Sequence, residues 1–384
     1  MNRQQTLSSS MKHSESTDSS FTVYKADGYR KVCAYQKTTR HVLDLDHFIP
    51  REQQILLHRK LRDKRHSLHI TLVIPTQNSE DYLTRTLQNV TQQIRKTQQA
   101  HPKWHIELII AINGVNQMKT IAQARLLQSE MITQSIQLTV FNMEGITGKI
   151  KAINASIAYA KQQKSDITGL IDDDVMLSEN AITTTVTCLI ENDEMFLVAP
   201  KRRPLSKPPA SKGLFARLEF ELRQEEKHPT GACLFLPTET YAPIPDNIIL
   251  DDEALKYYYA LPDNHVDPFA RMKLAAKAEV YFKLIGDQRL FWLRRIRLRT
   301  GAEQLASIFS ETKSRVRRAR LDKSKPFWRQ DFFTALTTKD KYCVAIYFFY
   351  YRTMLVLIRT LVSFKIRVRK VRGHYPYYTQ WYKS

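Results

Sequence analysis

Cysteine is scarce in this chain of 384 residues, and the few copies lie far apart, at Cys33, Cys188, Cys233 and Cys343. No two of them form a C-x-x-C pair, which argues against a zinc ribbon and against a disulfide framework. Sparse, unpaired cysteines are typical of a protein in a reducing compartment.

The N-terminal segment lacks an apolar run. It opens M-N-R-Q-Q-T-L-S-S-S, whereas a secretory leader carries an apolar stretch of about 7–15 residues. We therefore expect no secretory signal, and we expect the functional part to face the cytoplasm. Because residues 1–40 are rich in Ser, Thr and charge, we predict a disordered segment there, followed by a helical lead-in over 41–68.

Acidic residues are outnumbered. The chain has 38 Asp and Glu against 59 Lys and Arg, which gives a formal net charge of +21 and a pI near 9.7. The excess is concentrated in the last quarter, in basic clusters at 294–299, 313–320 and 365–372. A localised basic region indicates an anionic partner, which is nucleic acid, acidic lipid or a phosphorylated ligand.

Strand-like and helix-like patterns alternate from residue 67 onwards, and 43% of the chain is hydrophobic, which is enough for a substantial core. Short β-rich runs alternate with segments of helical periodicity, the strands at 67–75, 104–112, 138–141 and 167–171 and the helices at 82–94 and 150–162. This alternation predicts an α/β fold with a mainly parallel sheet flanked by helices. Ligands bind such sheets at the carboxyl ends of the strands.

An acidic triplet, Asp172, Asp173 and Asp174, ends one of the predicted strands. Three adjacent carboxylates lose hydration there and repel one another, so they need a cation or hydrogen-bond donors as compensation. Oxygen ligands suit Mg²⁺ or Mn²⁺, and a divalent metal is the simplest compensator. The alternative is a solvated acidic turn that leads into the next helix.

Further motifs stand before and after this triplet. They are I-P-T-Q-N-S-E-D at 74–81, G-K-I-K-A-I-N at 148–154, T-G-A-C-L-F at 230–235, L-D-D-E-A-L at 250–255 and R-R-I-R-L-R at 294–299. Together, and in this order, they resemble the motifs of the family 2 glycosyltransferases. The triplet falls at that family's D-x-D, and the last motif resembles the (Q/R)-x-x-R-W element of its membrane-linked branch. The resemblance covers about residues 69–305 and implies a GT-A fold, which is Rossmann-like.

The resemblance also implies a site, residue by residue. Asp252 is the expected general base, and Asp172 and Asp174 are the expected ligands of Mn²⁺ or Mg²⁺. The expected donor-binding residues are Pro75, Thr76, Asn78, Glu80, Asn113, Lys149, Asn154, Asp172 and Asp173. The residues expected near the phosphates or the acceptor are Gly231, Arg294 and Arg297.

Plainer alternatives exist for several of these residues. Asp251 and Asp252 also suit the cap of a helix, and Lys149 also suits a solvated helix start. The arginines of 294–299 also suit a basic helix face against lipid. The sequence departs from the family at Leu298, where the last motif has Trp. Since an aromatic ring there helps to hold a growing sugar chain, its absence favours a transferase that adds a single sugar.

Residues 342–364 form an apolar segment that is long enough to cross a bilayer, but Arg352 lies at its middle. A central arginine costs roughly 2.5–3.5 kcal/mol on insertion scales, so we expect an amphipathic helix lying in the membrane interface. The basic run from Lys365 favours an anionic membrane surface. A spanning helix and a helix packed on the core remain alternatives.

These expectations combine into a domain at 69–305 and a helical, basic, membrane-associated region at 306–384. The expected activity is inverting, metal-dependent transfer of a sugar from a nucleotide-sugar, expected to be a UDP-sugar, to a hydroxyl of a lipid-linked or glycan acceptor. The expected location is the cytoplasmic face of a membrane, either peripheral or anchored by a single helix. The alternatives are a basic nucleic-acid-binding protein and an inactive transferase-fold scaffold. We expect no nucleic acid as partner, because the acidic clusters at 172–174 and 251–253 would repel a polyanion.

Overall fold

The computed structural model describes residues 19–25, 28–35, 51–77, 80–132, 136–144, 148–192, 195–206, 220, 229–246, 248–260, 271–284, 288–308 and 338–371. The strands in this part of the chain are β1 (Ser19–Lys25), β2 (Gly28–Tyr35), β3 (His69–Thr76), β4 (His105–Gly114), β5 (Gln137–Glu144), β6 (Ile167–Ile171), β7 (Val175–Leu177), β8 (Leu197–Pro204), β9 (Cys233–Pro237) and β10 (Met272–Phe282). The helices are α1 (Arg51–Asp63), α2 (Glu80–Ala100), α3 (Met118–Ile132), α4 (Lys149–Gln162), α5 (Ala181–Ile190), α6 (Asp251–Ala260), α7 (Gln288–Ile308) and α8 (Thr338–Val371).

The strands form one ten-stranded sheet in the order β2-β1-β5-β4-β3-β6-β9-β8-β10-β7. Strands β5, β4, β3 and β6 are mutually parallel, and β8 and β10 form a further parallel pair. Strand β9 is antiparallel to both β6 and β8, and β7 is antiparallel to β10. The predicted α/β architecture of a sheet flanked by helices is confirmed. The sheet is mixed rather than mainly parallel, because only its centre, from β5 to β6, and the pair β8 and β10 are parallel.

The central strands are buried on both faces, which explains their almost continuous apolar sequences. Successive side chains of β3 point to opposite faces of the sheet, so Leu72 and Ile74 join one core cluster and Val73 joins the other. Helices α2, α3 and α5 cover the first face, and α4 and α6 cover the second. The two helical layers leave the carboxyl ends of β3, β4 and β6 at one edge of the sheet, where the predicted polar turns lie.

The structure differs from the sequence prediction at the N-terminus, where a disordered segment was expected over 1–40. Strands β1 and β2 lie within that range and form an antiparallel pair, and β1 adds to the sheet beside β5. Its sequence S-S-F-T-V-Y-K places aromatic and β-branched residues in a short run, the composition that favours strands. Residues 1–18 lie outside the described part of the chain.

Helix α8 contains the whole predicted helical segment 342–364 and extends beyond it at both ends. One side of α8 packs on α7, where the rings of Trp292 and Tyr351 lie 5.9 Å apart between centroids. Among the described residues, no helix has a stretch long and apolar enough to cross a membrane. The basic cluster at 313–320 lies outside the described residues.

Candidate active site

The ends of β3, β4 and α4 are tied together at this edge of the sheet. The side-chain amide of Asn113 donates from Nδ2 to the Thr76 carbonyl oxygen over 3.1 Å, and its Oδ1 accepts from the Gly148 N–H at 3.3 Å. Gly148 has a φ of 117°, a conformation that favours glycine, and it directly precedes helix α4. Asn113 is buried, and the structure places it as a cross-link between the two strand ends and the start of this helix.

The acidic triplet forms the turn between β6 and β7 and is held by side chains from β3 and α2. Thr76 Oγ1 donates to Asp173 Oδ2 over 2.8 Å, and Thr86 Oγ1 donates to the Asp173 carbonyl oxygen over 2.9 Å. The Asp172 N–H donates to the Ala232 carbonyl oxygen at 3.0 Å, across from β9. The turn is therefore fixed on three sides.

Asp174 is the least compensated member of the triplet, and it is partly shielded by the surrounding protein although its surface is exposed to solvent. Loss of hydration, followed by repulsion from Asp172 and Asp173, raises the pKa of Asp174 to about 6, and the positive charges of Lys149 and Arg294 offset this only in part. A carboxylate in this environment gains from any added cation. This is the electrostatic condition expected of a metal ligand.

Lys149 joins the triplet to the second acidic segment. Its Nζ lies 2.6 Å from Asp172 Oδ1 and 3.0 Å from Asp251 Oδ2. Burial alone lowers the pKa of Lys149, but the carboxylates of Asp172 and Asp251 outweigh it, so the pKa is raised and the ammonium stays charged. Lysine is electrostatically unfavourable in the first turn of a helix, and its two carboxylate partners offset that cost.

Asp252 lies in the first turn of α6, beside Asp251. Its Oδ2 accepts from the Gly231 N–H at 3.0 Å and lies 4.0 Å from Lys256 Nζ, one helical turn further along. A Cβ added at Gly231 would come within 3.0 Å of Asp252 Cβ, so the glycine allows the close approach. Burial raises the pKa of Asp252; Lys256 lowers it, Glu253 and Asp251 raise it, and the net direction is upward.

Helix α7 packs against the segment that leads into α6. Gln304 Oε1 accepts from the Ile249 N–H at 3.0 Å, and a Cβ on Gly301 would meet Leu250 Cγ at 2.4 Å. On the same helix, Arg294 lies close enough to Asp174 for its charge to lower the pKa of that carboxyl. Arg297 lies about one turn further along α7.

The remaining predicted residues are not all placed at the acidic cluster. Asn154 is buried in α4, and its amide binds the segment after β9: Oδ1 accepts from the Tyr241 hydroxyl at 2.6 Å and Nδ2 donates to the Ile244 carbonyl oxygen at 2.7 Å. These hydrogen bonds tie α4 to the segment after β9, and the expected role of Asn154 at the donor stays a prediction. Pro75 is buried in β3. Glu80 begins α2, and Asn78 lies outside the described residues.

Some residues of this site were not singled out from the sequence. Thr86 and Asn89, three positions apart on α2, both hold the β6–β7 segment, and Asn89 Oδ1 accepts from the Leu177 N–H at 2.6 Å. Lys256, which is only 2% exposed, pairs with Glu253 at 2.9 Å. The i, i+4 spacing of Asp252 and Lys256 is a signal that could have identified this lysine. No pattern in α2 distinguishes Thr86 and Asn89 from other polar helix positions.

Two carboxylates of the triplet have the oxygen-ligand chemistry that a hard divalent cation prefers. Asp172 and Asp174 supply carboxylate oxygens, and the pKa of Asp174 shows that negative charge is in excess there. In the part of the chain that the structure describes, no three His, Cys, Asp or Glu side chains are grouped closely enough to hold a metal ion.

Comparison with known proteins identifies the region that contains these residues. The family described as Glycosyl transferase family 2 matches residues 71–239, which include β3, the triplet and β9. The chain carries a glycosyltransferase family 2 domain. The expected family and the expected enzyme class, a glycosyltransferase, are confirmed over residues 71–239. No curated protein sequence matches the chain.

The chain is similar to solved structures of other enzymes at low sequence identity. A mannosyltransferase from Pyrobaculum calidifontis, in complex with GDP-Man and Mn²⁺, is 14% identical, with a TM-score of 0.46 over 84% of this chain and 95% of that one. Mannosyl-3-phosphoglycerate synthase from Rubrobacter xylanophilus is 13% identical, with a TM-score of 0.41 over 70% and 82%. Glucosyl-3-phosphoglycerate synthase from Mycobacterium tuberculosis, with Mn²⁺ and UDP-Glc, is 17% identical, with a TM-score of 0.36 over 66% and 83%.

Proposed function

We propose that this glycosyltransferase moves a sugar, with inversion and with a divalent metal, from a UDP-sugar to a hydroxyl of a lipid-linked or glycan acceptor. The observation that carries the proposal is the joined acidic site. Lys149 bridges Asp172 and Asp251, and this brings the triplet and the segment that contains Asp252 to the same edge of the sheet. Donor and acceptor chemistry both need groups at that edge.

The donor side of the proposal rests on Asp172 and Asp174. These carboxylates would hold Mn²⁺ or Mg²⁺, which acts as a Lewis acid toward the diphosphate of the donor. Asp173 is held by Thr76 at 2.8 Å and would face the ribose or the sugar. Lys149 and Arg294 add positive charge beside the triplet, which stabilises negative charge on a departing nucleoside diphosphate.

The acceptor side rests on Asp252. A general base works best when its pKa approaches the operating pH, and burial moves the pKa of Asp252 in that direction. The Gly231 N–H fixes one carboxylate oxygen at 3.0 Å, so the group is oriented before a substrate arrives. Asp252 would take the proton of the acceptor hydroxyl as its oxygen attacks the anomeric carbon opposite the leaving diphosphate. One displacement of this kind inverts the anomeric centre.

The acceptor is proposed to be lipid-linked or a glycan, met at the cytoplasmic face of an anionic membrane, with one sugar added per acceptor. The basic residues of α8, which follow the transferase domain in the chain, support this location. Leu298 supports single addition, since an aliphatic side chain that packs on the core stands where a processive enzyme would use an aromatic ring. Residues 69–305 are proposed as the catalytic domain and 306–384 as the membrane-associated region.

Isothermal titration calorimetry tests the donor assignment directly. Full-length protein is titrated with UDP and with GDP, each with Mn²⁺, with Mg²⁺ and with EDTA. We expect UDP to bind with either metal and to lose most of its affinity in EDTA. Equal binding in EDTA would overturn the metal assignment, and tighter binding of GDP would overturn the choice of uracil. No binding of either nucleotide would favour the inactive-scaffold alternative.

A further inference from the structure

An apolar stripe runs along the outward side of α8. Its members lie on one side of the helix, with Thr353 and Thr360 between them, and those that the structure describes are 49% to 77% exposed: Tyr342, Ile346, Phe349, Val356, Leu357, Leu361 and Phe364. Apolar residues at this spacing lie on one side of a helix. Single exposed apolar residues are ordinary on protein surfaces, but several large ones on one side of a helix mark an interaction surface.

The opposite side of the same helix is already occupied by the protein. Ile358 and Val362 are buried, and Tyr351 lies within 6.3 Å of Phe291 of α7, measured between ring centroids. Packing against α7 therefore fixes the rotation of α8 about its axis. The apolar stripe faces away from the domain because the inner face is held in place.

Positive charge borders the stripe. On an ideal helix Lys341, Arg352 and Arg359 lie along one edge of it, and all three are exposed. Other basic residues follow in the last turns of α8, and Asp340 is the only acidic residue in the helix sequence. Long basic side chains at the border of an apolar face reach toward phosphate headgroups while their stems lie on hydrocarbon.

This charge pattern selects one occupant for the stripe. The spacing would also suit a second copy of α8, as in a coiled coil. Two copies packed stripe to stripe would bring their basic borders together with almost no acidic residues to offset the repulsion. A bilayer that contains acidic lipids supplies both an apolar interior and the negative charge that the border requires.

We infer that the outward stripe of α8, from Tyr342 to Phe364, is a docking surface that inserts into the headgroup region of an anionic membrane while the inner face stays packed on α7. The inference rests on the proposed function only for its biological purpose, which is transfer to an acceptor presented by a membrane. Its evidence is the packing and exposure of residues on α7 and α8. It selects the interfacial helix among the arrangements that the sequence leaves open, and it adds which side of the helix meets lipid.

Helix α7 links this surface to the active site through neighbouring residues. The Arg295 guanidinium lies 4.9 Å from the centre of the Phe291 ring and 5.7 Å from that of Tyr351 on α8. The adjacent residue, Arg294, lies near Asp174. A lipid surface on α8 is thus one helix away from the carboxylates that act on the donor.

Vesicle flotation of full-length protein tests the inference without any donor or acceptor. The probes are neutral phosphatidylcholine vesicles and the same vesicles with added phosphatidylglycerol. The apolar variant is Phe349→Ser with Leu361→Ser, and its matched control is Leu126→Ser, an exposed leucine of α3. The charge variant is Arg352→Gln with Arg359→Gln, and its control is Arg59→Gln with Lys60→Gln on α1. All four parent positions of the charge variants are exposed.

We expect the wild type to float with the anionic vesicles and to be released by high salt. The charge variant should bind about fivefold more weakly for each arginine removed, the effect of roughly 1 kcal/mol per basic residue. The apolar variant should lose about tenfold or more. Both controls should bind like the wild type, and circular dichroism should show unchanged folding in all variants.

Several outcomes would overturn the inference. Binding that is equal on neutral and anionic vesicles, or unchanged in the stripe variants, would show that α8 does not dock through this face. A dimer in analytical ultracentrifugation that dissociates in the Phe349 and Leu361 variant would assign the stripe to a second copy. Titration with UDP and Mn²⁺ on the same samples separates this test from the proposed function, because nucleotide binding does not depend on the stripe.

Discussion

Two runs of acidic residues occupy the active-site edge of the sheet, and their surroundings differ. At 251–253, the carboxylates begin a helix and already have partners, with Gly231 N–H and Lys256 Nζ near Asp252. At 172–174, the carboxylates form a turn, and Asp174 keeps an excess of negative charge that raises its pKa to about 6. The two runs therefore differ in the partners of their carboxylates, although burial raises the pKa of Asp252 as well.

The difference suggests a division of labour. A base must be oriented and must not bind a metal strongly, and the helix start with its neighbouring lysine supplies that environment. A metal ligand must gain by binding a cation. The excess of negative charge around Asp174 in the turn provides that gain. Lys149 contacts one carboxylate from each run, so its removal would disturb both.

The largest expected effect comes from Asp252→Asn. The amide keeps the shape of the side chain but cannot accept the proton of the acceptor, so turnover should fall by about 10²–10⁴-fold. Affinity for UDP with Mn²⁺, measured by calorimetry, should stay within about twofold of the wild type. Unchanged turnover would place the base elsewhere in the 251–253 run, with Glu253 or Asp251 as the next candidates.

Removal of the metal ligand is expected to act on binding. Asp174→Ala should weaken Mn²⁺-dependent binding of UDP by about 100-fold or more, since even outer-shell changes cost roughly 10–100-fold in metal affinity. Asp166→Ala is the matched control: this carboxylate lies just before the other end of β6 and pairs with Lys64 at 2.9 Å. The control should keep its Mn²⁺ response. Full Mn²⁺-dependent affinity in the Asp174 variant would contradict the assignment.

Lys149→Met should lower the free energy of unfolding of the metal-free protein by about 1–3 kcal/mol, because Asp172 and Asp251 lose their shared cation in a partly buried site. Urea denaturation measures the change. Mn²⁺ should then stabilise the variant more than it stabilises the wild type, since the ion replaces part of the lost charge. Lys151→Met on the same helix is the control. An equal loss of unfolding free energy in the Lys151→Met variant would show that Lys149 acts only through helix packing.

The smallest expected effect is on the pH dependence of stability. The pKa of Asp174 is raised from 3.8 to about 6 in the folded chain, so its contribution favours folding below pH 4 and is lost as the pH rises through about 6. In EDTA, Asp174→Asn should therefore gain stability relative to the wild type above pH 6. Solvent around this side chain limits the gain to on the order of 1 kcal/mol or less. In excess Mn²⁺ the wild type should be more stable than the Asp174→Asn variant. Thermal unfolding at several pH values, with EDTA and with Mn²⁺, measures both stabilities.

The sequence by itself determined the central architecture and proposed the residues of the site. Apolar strands that alternate with periodic helices have few packing solutions, so the parallel core from β3 to β6 followed from pattern alone. The carboxylates after the buried strand β6 indicated a candidate ligand site at this edge, because Asp172 and its neighbours need a cation, hydrogen-bond donors or solvent as compensation there. A local feature of this kind depends on consecutive residues, so it can be predicted without knowledge of the fold.

Only the tertiary structure decided how distant segments share charge. The contact of Lys149 with both Asp172 and Asp251 depends on β9 pairing antiparallel with β6, and the hold of Thr86 on the triplet depends on how α2 packs. The hydrogen bonds of Asn154 to the segment after β9 could likewise not be predicted from residue spacing. The same holds for the rotation that turns the α8 stripe outward. The physical reason is that hydrogen bonds and ion pairs depend on atoms within a few ångströms, whereas residue spacing fixes only the face of a helix or strand.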